Sequence, residues 1–532
     1  MVAIYKWKQV ASFFHVMGLI ITSAALGFGQ SSVLSQNRGY RALFETHPDL
    51  MSSGFHSSIR PFLKSEVTAH VDLDSILYAA RPKFMRGSKG DSTSKIEFSS
   101  LDFYPLVQLG YDQDFVSRDG YTRTGLGITT KLIVKKKLAV VGTFNTANRG
   151  FVNYVDTTIK LNEVVPGMGY AHQTQQGYAF SKFDGYISYS PSPYFNFQAG
   201  QGKNFFGSGY RSLLLSDVAN NYPFFKINTT IWKIKYVNLF TAMNEVIGSG
   251  GKSSNYQRKY ATFHYLSWNV SKWLNISLFE SIIWAGEDSS GVRGYDVNYL
   301  NPIIFYRPVE FSVGSSDNAI IGTNISAKIS KSMLLYGQVV LDEFFLVHIR
   351  ARDGWWANKQ GFQLGLKTWR LFGIDGLSGL IEYNRVRPYT YSHGLRIQNY
   401  AHFNQALAHP LGANFYETTS FLRYNTGPIS IEGSFMYGIA GIDSSGSNWG
   451  GNIFLDYTTP RQKEFDNFTA QGVQTTIISG GLRVAYLLYP PTNLKFEIGL
   501  HARSSSSDID NQNSTLFTIG LKTELGNTYH DF

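Results

Sequence analysis

"NLKFEIGLHAR", residues 493–503, alternates strictly. Leu494, Phe496, Ile498, Leu500 and Ala502 fall on one face, and Lys495, Glu497, His501 and Arg503 on the other. A period of two is that of a β-strand, whose successive side chains point to opposite faces. The next segment, "LFTIGLKTEL" (Leu516–Leu525), repeats the pattern, with Phe517, Ile519, Leu521 and Leu525 opposed to Lys522 and Glu524. In a soluble sandwich the apolar face would be the core. In an outer-membrane barrel it meets lipid, and the polar face lines the lumen.

The connections between such segments separate these readings. Short turns fall at Lys135–Lys137, Ser190–Pro193, Trp232–Lys233, Ser271–Lys272, Ser330–Lys331, Phe372–Gly376, Asn425–Pro428 and Pro490–Asn493. Between them lie longer connections, at 114–120, 147–177, 202–222, 247–258, 286–317, 346–358, 389–414, 440–472 and 504–513. Tight periplasmic turns alternating with long extracellular loops are the habit of outer-membrane barrels. The sequence therefore predicts an all-β fold: a transmembrane antiparallel outer-membrane barrel of about 18 strands over residues 99–532, with both termini periplasmic. Residues 450–459 are assigned to a loop, because a strand there would break the alternation.

Composition agrees. Aromatic residues reach 15%, with 33 Tyr and 39 Phe beside 51 Gly, yet mean hydropathy is −0.15. Beyond the first thirty residues, no apolar run approaches the roughly 20 residues of a membrane helix. Residues 1–29 read as a signal peptide: Lys6 and Lys8 precede "FFHVMGLIITSAALGFG" (13–29), with cleavage expected before Gln30. Residues 30–98 read as a periplasmic-side extension or partial plug, with "GSKGDSTSK" (87–95) as a flexible connection. The net charge of +10, falling to +8 without Lys6 and Lys8, is scattered, with no basic stripe for nucleic acid.

The third long loop, "GQGKNFFGSGYRSLLLSDVANNYPFFKI" (200–227), is apolar at its centre and polar at its edges. A barrel of this size leaves an aqueous channel unless something fills it. The loop is expected to fold inward, with Leu213, Leu214 and Leu215 as an apolar plug built as one helical turn. Ser216, Asp217 and Asn220 would cap that turn, and Arg211 would pair with Asp217 or reach an acidic lumen wall. Lys203, Arg211, Trp355 and Trp356 are candidate glycan contacts, as are Tyr389, Tyr391 and Tyr400, because aromatic faces suit the apolar faces of sugar rings. The competing reading of Trp355 and Trp356 is the aromatic girdle of the membrane interface.

Catalytic chemistry is not expected. There is no Cys and no HExxH spacing, and the Gly-rich loop lacks a Gly-Lys-Ser/Thr ending. Asp342 and Glu343 are adjacent, so alternation sends them to opposite faces unless the strand bulges there. His402 and His409 lie in a loop and read as solvated. No cofactor or metal is called for. The chain ends in Phe532, a terminal aromatic of the kind that aids barrel assembly.

"FGSGYRSLLLSDVANNYPFFKI" (Phe206–Ile227) and "SGFHSSIRPFL" (Ser53–Leu63) resemble segments of the capsule-assembly outer-membrane barrel family (Wzi-type), most of all its gliding-motility RemB branch. The resemblance implies an 18-stranded barrel closed by inward loops, with a lectin-like role holding surface polysaccharide. The implied partners are an acidic surface polysaccharide, outer-membrane lipid, and motility or adhesion proteins. Where the family carries Ala-Arg, this chain has Ala219-Asn220, which leaves Arg211 and Lys203 as the nearest cationic substitutes. The alternatives are a motility or adhesion protein acting through a protein partner, and a solute channel.

Overall fold

The computed structural model describes residues 31–83, 99–135, 137–288, 291–303, 317–444 and 446–532. The signal-peptide reading of 1–29 and the connection expected at 87–95 lie outside the described residues. Among those described, an 18-strand antiparallel barrel runs from Ser99–Asp114 to Asn511–Thr523. It closes where Gln108–Asp114 pairs with Leu516–Lys522. Every other strand pairs with its sequence neighbour, so the long loops gather at one end and the short turns at the other.

The burial pattern is that of a protein turned inside out. On Leu494–Ser506, Phe496, Ile498 and Leu500 are 38%, 41% and 48% exposed, while Lys495, Glu497 and Arg503 are 8%, 5% and 9%. The outward band continues through Leu126, Ile128, Phe144, Phe183, Leu364, Ile381, Leu422 and Phe435, all exposed. Water penalises such a surface, and hydrocarbon does not. The hairpin at Trp232–Lys233 needs no Gly, because Trp232 itself takes a left-handed φ of 55° between paired Ile231 and Ile234. Residues 450–459 contain no strand.

Several segments of the described residues occupy the lumen. Residues 31–83 form short helices around Tyr40, Phe44, Leu50, Phe62, Val67 and Leu73. They are tied near the short-turn end, where Asn269 donates to Gly54 O at 2.7 Å and Lys328 to Ser53 O at 2.8 Å. Residues 203–221 and 388–414 fold in from the long-loop end. The tail after Thr523 turns inward too: Phe532 packs edge-on against Tyr154 inside the barrel, not on the outer face of the last strand as an assembly aromatic would.

Candidate functional site

The loop 203–221 is built around close approach and charge. Gly207 has φ 150°, and a Cβ there would strike the Gln338 side chain. At Gly209 a Cβ would strike the Glu382 carboxylate. Glycine is required at both positions. The Glu382 carboxylate accepts from the backbone N–H of Tyr210 at 2.9 Å and of Arg211 at 3.0 Å. Gln338 accepts from Leu213 N at 2.8 Å, and Asn324 from Ser208 N at 3.2 Å. Inward-facing polar side chains of the wall thus satisfy backbone donors that no sheet reaches.

Arg211 does not pair with Asp217. It reaches the acidic wall, donating from Nη2 to Glu417 Oε1 at 2.8 Å and to Asp531 O at 2.9 Å. Its Nη1 meets Asp531 Oδ1 at 3.3 Å. Burial alone would lower the guanidinium's pKa, but the carboxylates of Asp531 and Glu417 outweigh it and hold the group protonated well above its ordinary range. Tyr210 donates to Asp531 Oδ2 at 2.8 Å, so the tail and the loop share one clamp.

The three leucines are fully buried against Val237, Leu239, Phe263, Tyr265, Phe279 and Val340. They form no helical turn: Leu213 and Leu214 lie in bends, and Phe206 N donates to Leu215 O at 2.9 Å across a β-bridge. Their carbonyls are met by tyrosines of the 388–414 segment, Tyr391 donating to Leu213 O at 2.7 Å and Tyr400 to Leu214 O at 2.6 Å. Without a helical turn these carbonyls stay free for such partners, which a helix would have consumed.

The polar residues of the loop are spent on structure. Ser216 donates to Leu407 O at 3.0 Å and accepts from Val218 N. Asp217 accepts from Tyr529 Oη at 2.7 Å and Asn527 Nδ2 at 2.8 Å. Lys203 donates to the carbonyls of Gly167 and Asp217, both at 2.9 Å. Asn220 is buried. These residues, with Arg211 and Leu213–Leu215, come together as a lumenal plug. All of them are buried except Lys203, which is half-buried.

Further corrections concern the loop aromatics and histidines. Tyr389, Tyr391 and Tyr400 are buried, as are His402 and His409. His409 Nε2 bonds Glu417 at 2.8 Å, and His402 accepts from Asn244 N at 3.1 Å. Asp342 and Glu343 are not on opposite sides: a register shift after Leu341 lets Lys359 Nζ reach both, at 3.2 and 3.0 Å. The anchors that sequence reading missed are Gln338, Glu382, Glu417, Tyr529 and Asp531. For Gln338, Glu382 and Glu417 the only local signal is a polar residue on an inward strand position, and Tyr529 and Asp531, beyond the last strand, carry none.

Trp355 and Trp356 diverge. Trp355 packs on His348 and Phe345, with ring centroids at 4.6 and 5.4 Å. Trp356 lies beneath the Arg461 guanidinium, 3.9 Å from its ring centroid, beside Tyr457 at 5.0 Å. Both remain half-buried at the long-loop end.

The fold and its filled lumen define an 18-stranded barrel of the outer-membrane type. No family model and no curated protein matches the chain. Among solved structures it is similar to Wzi, an outer membrane protein involved in group 1 capsule assembly in Escherichia coli and described as a carbohydrate-binding β-barrel. That match has a TM-score of 0.55 at 12% identity and covers 93% of this chain and 99% of that one. OprD of Pseudomonas aeruginosa gives a looser match, TM-score 0.42 at 11% identity over 80% of this chain and 94% of that one. At these identities the likeness is one of fold.

Proposed function

We propose that this chain is a non-enzymatic outer-membrane barrel that binds surface polysaccharide at its long-loop end. The observation that carries the reading is the likeness in fold, over nearly the whole chain, to a barrel described as carbohydrate-binding. The contact surface is the half-buried Trp356 with Tyr457 and Arg461 above the plug, an aromatic platform beside a cation. A pyranose ring lays an apolar face on such a platform while its hydroxyls and any carboxylate meet polar neighbours. The net positive charge favours an acidic polymer. The apolar segment 13–29 serves as the export signal.

The filled lumen supports this reading over an open solute channel, because Leu213–Leu215 and residues 31–83 stand where water would pass. A part in gliding motility, and motility or adhesion proteins as partners, rest on the two segments Ser53–Leu63 and Phe206–Ile227 alone. Calorimetric titration of the detergent-purified barrel with its own cell-surface polysaccharide, at low and high salt, tests the proposal. Saturable binding that weakens with salt and is lost in Trp356→Ala/Arg461→Gln is the expected result. A folded barrel that releases no heat at either salt concentration contradicts it.

A further inference from the structure

At the long-loop end the barrel carries a patch of a different kind on its outer wall. The segment "FFLVHIRAR" (Phe344–Arg352) follows the strand Met333–Glu343 and forms the helix Leu346–Ala351. Phe344, Phe345, Leu346, Val347 and Ile349 are all exposed, with Phe345 at 60% and Val347 at 70%. A neighbouring loop adds Phe465 and Phe468, the latter 58% exposed, and Phe465 lies 5.8 Å from the His348 ring. Five consecutive or near-consecutive large apolar side chains in water are unusual for a loop.

Two hydrogen bonds place this patch on the outside of the barrel. On the strand Leu377–Val386, Asn384 and Val386 are buried, so Arg385 and the following Arg387 point outward. Arg387 Nη2 donates to Trp355 O at 3.3 Å, and Arg385 Nε to Thr469 Oγ1 at 3.1 Å. Trp355, whose ring packs on His348 of the helix, and the loop 465–469 are thus fastened to outward-facing arginines. Directly beneath lie Phe362, Leu364, Ile381 and Tyr383 of the exposed apolar band. The patch continues the lipid-facing surface rather than the loop-end surface that carries Trp356.

The patch is also basic. Arg350 and Arg352 are exposed and make no ion pair or side-chain hydrogen bond among the described residues. Arg387 is half-buried beside them and spends its Nη2 on Trp355 O. Of the nearby acids, Asp353 is engaged with His348 and Glu464 with Arg461, while exposed Asp466 makes no ion pair among the described residues. A short apolar helix flanked by free arginines, level with the top of a membrane band, suits the boundary between acyl chains and charged headgroups.

We propose that Phe344–Arg352, with Phe465, Phe468, Arg385 and Arg387, is a docking site for a phosphate-bearing glycolipid of the outer leaflet. The apolar side chains enter the acyl boundary, and the guanidinium groups of Arg350 and Arg352 bind the headgroup phosphates. Guanidinium suits this task because its planar fork meets phosphate oxygens in pairs. The site is separate from the polysaccharide platform, and its existence does not depend on that reading.

The test is native mass spectrometry of the full detergent-purified barrel titrated with diphosphoryl lipid A or with the same lipid after phosphatase treatment. The wild-type barrel is expected to prefer the diphosphoryl form by about thirtyfold, the worth of two basic residues against an anionic surface. Arg350→Gln/Arg352→Gln should abolish the preference while leaving weak binding of both lipids. Val347→Ser/Phe468→Ser should weaken both lipids alike. Heat-modified gel mobility verifies that each variant is folded. Equal affinity for the two lipids, or a preference that survives in Arg350→Gln/Arg352→Gln, overturns the proposal. Full displacement of the lipid by millimolar inorganic phosphate also overturns it, since that result assigns the arginines to a free anion.

Discussion

Replacing Arg211 with Met tests whether the clamp holds the plug in place. The side chains of Arg211 and Glu417 are both fully buried, and the substitution leaves the Glu417 carboxylate without its guanidinium partner. Removing one member of a buried pair costs about 3–5 kcal/mol, mostly through the charge left behind. Asp531, partly exposed at its side chain, contributes less because water reaches it. If that cost falls on the inserted loop alone, the population with the loop displaced rises roughly 10²- to 10⁴-fold. The barrel wall should survive, since its backbone ladders do not pass through Arg211. Two readouts apply: single-channel current in a planar bilayer, and hydrogen exchange of residues 202–222. Arg211→Met should show frequent openings and lost protection. Arg211→Met/Glu417→Gln, which removes the orphaned charge, should recover about 1–3 kcal/mol of the loss. Wild-type current and wild-type protection in Arg211→Met would refute the clamp.

Other expectations follow from the same plug. Gly209→Ala pushes a methyl group into the Glu382 carboxylate and should release the loop as Arg211→Met does, read by the same exchange experiment. Leu213→Ser/Leu214→Ser/Leu215→Ser removes three fully buried side chains, each worth about 2–5 kcal/mol by truncation. It should raise conductance while heat-modified mobility stays that of a folded barrel. Burial, with a smaller effect of nearby cations, pushes the His402 pKa down to about 3. Between pH 6.5 and 3 the unfolded chain therefore holds the extra proton. His402 stabilises the fold fully above pH 6.5, and that contribution falls as the pH drops through this window. His402→Gln should flatten the acid limb of a denaturation-midpoint titration by about one proton.

The wall of this protein was legible in its sequence because alternation is a local property. Phe496 and Glu497 declare opposite faces within two residues, whatever lies across the barrel. The inward course of 203–221 was legible in part, since three leucines in a row inside a long loop need cover. Its partners were not, because they are remote in the chain: Glu382 is 171 residues from Arg211, Glu417 is 206 and Asp531 is 320. The same distance explains the misreading of His402, His409, Tyr391 and Tyr400. Polar aromatics in a loop look solvated until a second inserted loop offers them carbonyls to bond. Asp342 and Glu343 turned on a single bulge, which one-residue alternation flags but cannot direct. Trp355 and Trp356 read as one motif in sequence and face two surfaces in space.

The central claim is that this barrel binds at its mouth rather than conducts through its lumen. The most direct measurement is the steady current of the purified wild-type protein in a planar bilayer. The account predicts a current near baseline, with rare brief openings from the plug. A large, stable conductance in every inserted molecule would contradict it and return the solute channel as the better reading.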